Sequence, residues 1–265
     1  MNSADINVPL GDGGMNYKLE IIGFNIESCL IAQASGANRI ELCDNPAEGG
    51  TTASCGFIKA ARKALQIELY PIIRPRGGDF LYSDEEFGIM QTDVQLCKEL
   101  GCDGVVIGML KTDGSIDKKR CSKLVSIAYP MGVTFHRAFE RCSNPFEALE
   151  DIIETGCERI LTSGQQPTAA EGADLINQLI RQAKDRIIIM PGSGVRSSNI
   201  IDIAGQTGAG EFHSSAKKMI NSSMEYHNPA LKEQLQCITA DSKEIETMKH
   251  SLAAYFEKNR STEVR

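Results

Sequence analysis

Short apolar runs alternate with amphipathic stretches along most of the chain. Runs near 17–22, 38–43, 68–74, 104–108, 131–136, 158–162, 186–190 and 210–213 are rich in Ile, Val and Leu. Runs of that length, bounded by turn residues, predict buried strands. Between them, apolar positions recur every three or four residues, which predicts helices near 26–36, 54–66, 84–100, 117–128, 145–155, 171–184 and 197–207. Ser83, Asn144 and Ser197 stand where a helix cap is needed. After a polar segment over 221–240, Asp241 and Glu244 have the spacing of a capping box, and a closing helix is expected to about Glu257.

A short echo marks four of the joins: SGANRIEL from 35, LGCDGVVIG from 100, TGCERILTSG from 155 and TGAGEFHSS from 207. Each reads as a helix closed by a glycine at positive φ and followed at once by a buried strand. Such a join repeats only where helices and strands alternate. Eight strands alternating with helices predict a (β/α)8 barrel with a C-terminal helix, in one domain over 16–265. A doubly wound sheet would carry a glycine-rich dinucleotide turn after its first strand, and IIGFNIES does not supply one.

Composition narrows the function classes. The 265 residues carry a formal charge of −7, and Lys and Arg are scattered without forming a stripe, which argues against a nucleic-acid partner. Residues 1–15 have neither a basic start nor an apolar run and read as a flexible tail. No segment reaches membrane-span length, so no membrane partner is expected. Nine cysteines without a CxxC pair read as reduced thiols, which favours a cytoplasmic location.

Alternation along a strand, applied to a barrel, selects the residues that face inward near the C-terminal strand ends, where barrel function collects. It places inside Glu20 and Ile22 from the first strand and Arg39, Glu41 and Cys43 from the second. It adds Arg74 and Arg76 from the third, Thr134 and His136 from the fifth, Thr162 from the sixth, and Glu211 and His213 from the eighth. Buried, mutually satisfied ion pairs account for any one of these charges. The set as a whole costs more to bury than apolar packing would, and points to a site. Glu20, Glu41, Arg74, His136 and Glu211 are the catalytic candidates, with His136 or Glu41 as general base or acid. Arg39, Arg76, Asp79, Arg137, Thr162 and the Gly192, Ser193, Gly194 turn are candidates for holding a small anionic ligand, the turn through backbone N–H groups. Cys43, His136 and His213 form a candidate metal set, since a thiolate with imidazoles favours Cu(I) or zinc.

RIELCDNPAEGGTTAS (39–54), PIIRPRGGDFLYSDEE (71–86), VTFHRAFE (133–140), RILTSGQ (159–165), IIIMPGSGV (187–195) and GEFHSSA (210–216) together resemble the copper homeostasis protein CutC family over about 17–216. The resemblance implies a (β/α)8 barrel, a cytoplasmic homo-oligomer and copper(I) binding through cysteine, Cys43 matching the cysteine of the family's IELC string. Some relatives place a second cysteine beside it at the end of the first strand, where this chain has Ile22. Two functions are carried forward: copper(I) binding, and a barrel enzyme acting on a small phosphorylated or carboxylated compound.

Overall fold

The computed structural model describes residues 17–231 and 235–263; the tail expected over 1–15 lies outside them. Eight parallel strands form the barrel: β1 Lys18–Gly23, β2 Arg39–Leu42, β3 Glu68–Pro71, β4 Gly104–Ile107, β5 Gly132–Phe135, β6 Arg159–Thr162, β7 Ile188–Pro191 and β8 Glu211–Ser214. They pair as two arcs, in the order β3-β2-β1-β8 and β4-β5-β6-β7. At one seam, the Ile73 N–H donates to Val106 O at 2.8 Å, joining the end of β3 to β4. At the other, β7 packs beside β8, and a Cβ at Gly192 would lie 3.3 Å from His213 Cβ.

Helices α1 Ile26–Ala34, α2 Cys55–Ala64, α3 Asp84–Glu99, α4 Lys118–Ala128, α5 Pro145–Thr155, α6 Ala173–Ala183, α7 Ile200–Thr207 and α8 Ser242–Glu263 surround the strands. The C-terminal helix takes the eighth helix position, in contact with α7 and α1. The repeated joins follow the expected geometry: Gly36, Gly101, Gly156 and Gly208 have φ of 93°, 76°, 88° and 76°. Only glycine takes that region without steric cost.

Alternation sorts side chains into two layers. Leu19, Ile21, Ile40, Leu42, Val105, Phe135, Ile160 and Phe212 belong to the main apolar core, which continues into the helices. Inside the barrel lies a polar floor in which Arg39 is fully buried and binds Glu20, Glu68 and Glu211. Arg159 shares Glu211 at 2.6 Å, donates to Thr134 Oγ1 at 3.1 Å, and reaches Glu158 at 2.8 Å. Two buried guanidiniums therefore have carboxylate partners, as their burial demands.

The caps differ in part from expectation. Ser83 forms a full capping box with Glu86, and Asn144 caps α5. Asn199 rather than Ser197 precedes α7, and Ser197 instead donates through N–H and Oγ to Glu244, at 2.8 Å each. Glu244 is thus turned toward the lead-in of α7, while Asp241 Oδ1 accepts from Lys243 N at 3.1 Å. The polar segment after β8 contains an antiparallel hairpin, β9 Lys217–Asn221 and β10 Gln236–Ala240, which periodicity did not predict.

Candidate functional site

A cavity of about 400 Å³ opens at the C-terminal strand ends, lined by residues that include Glu41, Arg74, Phe80, His136, Arg137, Ser193, Gly194, Arg196, His213 and Lys217. Its lining holds four basic side chains, one carboxylate and two histidines, in a chain whose net charge is −7. The size suits a small metabolite.

The chemistry centres on β1, β2 and β8, whose register sets Glu20 opposite both Arg39 and His213. Burial raises the Glu20 carboxyl, but the Arg39 guanidinium and His213 overcome it and hold the group well below the usual carboxylate range. Ionised Glu20 accepts from His213 Nδ1 at 2.7 Å, so the other ring nitrogen is free for chemistry. His213 Nε2 lies 3.7 Å from Glu41 Oε2. Burial lowers the His213 pKa, yet the bond to Glu20 and the charges of Glu41 and Glu20 raise it overall. Glu41 is pushed up to about 7, mainly by burial, with His213 opposing and Glu20 reinforcing. Both groups are thus held more basic than usual side by side, the property wanted of an acid–base unit.

His136 caps the 3-10 turn Arg137–Arg141: its Nδ1 accepts the Ala138 N–H at 3.1 Å. Its ring packs against Phe80 at a tilt of 49° with centroids 4.9 Å apart, and the Arg74 guanidinium lies over the Phe80 ring, 5.0 Å from its centroid. Burial, and then the Arg74 charge, push His136 down to about 3.

Ser193 and Gly194 have φ of 76° and 73°. A left-handed serine costs on the order of 1–2 kcal/mol, and such strain tends to persist where the surrounding structure uses it. The turn is stitched to the loop after β6 by Ser193 Oγ donating to Pro167 O and by Ala169 N donating to Ser193 O. The Ser193 and Gly194 N–H groups have no acceptor among the described residues. Arg196 and Lys217 likewise have no ion-pair partner among them. Arg137 is exposed and partly engaged, donating to Ser163 Oγ at 3.1 Å and lying 3.6 Å from Glu140.

Several expected site residues lie elsewhere. Glu20, Arg39 and Glu211 are in the floor, one layer below the cavity lining. Arg74 lines the cavity, but its terminal nitrogens clamp the carbonyls of Glu48, Gly50 and Gly78 at 2.6–2.9 Å, leaving Nε unpartnered. Arg76 does not converge with it: strand geometry ends at Pro71, and Arg76 turns outward to Glu86 at 2.5 Å and Asp79 at 3.0 Å. Asp79 is accordingly outside the lining too. Arg159 and Leu161 face inward on β6, so Thr162 has the opposite parity and donates to Glu140. Gly192 lies against Leu161 and His213 and supports the turn from behind. Arg196 and Lys217 escaped the sequence reading because one follows the turn and the other starts the unforeseen hairpin.

The metal set does not come together. Among the described residues, only Glu20, Glu41 and His213 place three such ligand atoms within 4.8 Å of one another. Two carboxylates are a poor match for Cu(I), and Arg39 already occupies Glu20. Cys43 is fully buried in an apolar cluster with Tyr70, Ile72 and Val106. It lies outside the cavity lining, beneath Gly50, where an added Cβ would be 3.1 Å from Sγ. Burial, reinforced by Glu41, pushes its thiol well up, away from the thiolate that copper needs.

The model of the CutC family matches residues 17–218. The chain belongs to the CutC family. A CutC family protein of Chromobacterium violaceum is 51% identical over 212 residues, 80% of this chain and 86% of that protein. The Homo sapiens copper homeostasis protein cutC homolog is 45% identical over 226 residues, covering 84% and 83%. The crystal structure of a putative copper homeostasis protein CutC from Streptococcus agalactiae superposes with a TM-score of 0.72 at 33% identity, covering 75% of this chain and 98% of that one. The CutC family match and the barrel fold agree with the resemblance seen in the sequence. Among the described residues, no helix is long and apolar enough to cross a membrane.

Proposed function

We infer that the strand-tip pocket of this CutC-family protein is an acid–base active site for a small anionic compound, phosphorylated or carboxylated. The observation that carries this reading is the single cavity face shared by the Glu41–His213 pair and a basic rim in which Arg196 and Lys217 have no ion-pair partner among the described residues. Arg196, Lys217, Arg137 and the Ser193–Gly194 backbone hold the anion; Glu20 orients His213; Glu41 and His213 move the proton. A ligand that binds only the folded state raises the melting temperature by mass action. Phosphate and small carboxylates are therefore expected to raise it across a panel of anions, with the response saturating. A flat response to the whole panel would count against the reading.

Copper(I) binding at Cys43 is the second reading. What supports it is the name carried by the human relative and the position of Cys43 directly after β2. Binding there requires the 44–51 loop, pinned by the Asp44–Thr51 bridge, to lift from the thiol. In an anaerobic Cu(I) titration against a competing chelator, the geometry predicts affinity indifferent to Cys43→Ala. Tight stoichiometric binding lost in that variant would establish the copper reading instead.

Two broader properties accompany this proposal. All nine cysteines are free, which supports the cytoplasm. Met219, Met224, Tyr226 and Leu231 are exposed on and beside the β9–β10 hairpin, which supports a homo-oligomer.

A further inference from the structure

The acid–base reading leaves two buried groups unused. His136 is 3% exposed, lines the cavity, and its Nε2 has no hydrogen-bond partner among the described residues. The Arg74 Nε, also buried, is in the same condition. A buried donor without an acceptor is costly, by about 1–3 kcal/mol, and calls for an explanation.

The tautomer of His136 follows from its cap. Because Nδ1 accepts the Ala138 N–H, its lone pair is committed and the neutral ring carries its hydrogen on Nε2. That nitrogen is then a donor and offers no lone pair to a metal. A protonated ring would break the cap and place a second cation beside Arg74, so the ring stays neutral. A neutral N–H fixed in a buried site suits an oxygen on which charge develops, since it stabilises that charge without surrendering its proton.

We propose that His136 is the oxyanion donor for a carbonyl substrate bearing a phosphate, with the carbonyl oxygen at Nε2–H and the phosphate at the Ser193–Gly194 turn, Arg196 and Lys217. The proposal rests on the acid–base reading and names its substrate class. The step is enolisation. The Glu41–His213 pair takes the proton from the carbon next to the carbonyl. The C–H electron pair becomes the C=C bond, and the carbonyl π pair moves to oxygen, where His136 Nε2–H donates to it. In an α-hydroxy carbonyl the hydroxyl proton then passes from the neighbouring oxygen to the enediolate oxygen, and return of the abstracted proton to the former carbonyl carbon gives an isomer, with no oxidant or second substrate required.

The test compares inorganic phosphate, 2-phosphoglycolate and 2-phosphoglycolohydroxamate, whose hydroxamate mimics an enediolate, by calorimetry on the wild type and His136→Phe. The hydroxamate is expected to bind about tenfold or more tightly than phosphoglycolate, a gap that His136→Phe closes while phosphate binding is kept. If phosphate binds but the two organic probes bind equally to the wild type, this proposal falls and the anion pocket stands. If none of the three binds, both fall. Should His136→Phe not fold, nitrogen-15 NMR of the wild type decides. A neutral Nε2–H ring between pH 5 and 8, whose signal moves with the hydroxamate and not with phosphate, supports the proposal. An Nδ1–H ring, or one titrating in that interval, overturns it.

Discussion

Glu41 shows how one residue can be legible in position and illegible in property. Alternation along RIEL places it inside the barrel, but does not give its distance from His213 or show that Arg39 forms its ion pairs with Glu20, Glu68 and Glu211 instead. Its carboxyl is pushed from the ordinary 4.5 up to about 7 by burial, so the folded state binds that proton more tightly than the unfolded chain. The resulting stabilisation is fully present below about pH 4.5 and is lost as the pH rises through about 7. Glu41→Gln, permanently neutral, should therefore melt with the wild type near pH 4 and above it at pH 8, by about 3 kcal/mol in stability. Thermal melts across that range check the sign, and a variant less stable than the wild type at pH 8 would contradict it. Arg74 and Arg76 give the opposite lesson. Their two-residue spacing implied convergence only while the chain stayed extended, and the strand ends at Pro71.

The elements were readable where the physics is local. Strand runs and closing glycines need only neighbouring residues, and the four glycine joins have positive φ. Ser83 likewise caps α3 through its own i+3 neighbour Glu86, which also anchors Arg76. Ser83→Ala should cost about 1 kcal/mol in urea denaturation, and no measurable loss would show that Arg76 holds the helix start unaided. The β9–β10 hairpin was hidden because its strands, KKMIN and QCITA, are mostly exposed and are separated by a long connection without a tight-turn signal. With it went Lys217. The sixth strand hid its parity differently: Thr162 is polar enough to pass as a site residue, although Arg159, three positions earlier, fixes the inward set.

Across the whole molecule, charge separates into two layers with different work. The floor balances Arg39 and Arg159 against carboxylates and holds the strands together, while the cavity above keeps Arg196 and Lys217 without ion-pair partners among the described residues. Sequence alternation delivered both layers as one list, because it encodes which face a residue takes and not how far up the barrel it sits. The distinction decides which arginine binds an anion. Calorimetric titration with inorganic phosphate on the wild type, Arg196→Ala and Arg76→Ala tests it directly. The account predicts saturable binding that Arg196→Ala weakens by about tenfold or more and Arg76→Ala leaves intact. Absence of binding to the wild type, or loss in Arg76→Ala with Arg196→Ala unaffected, would contradict it.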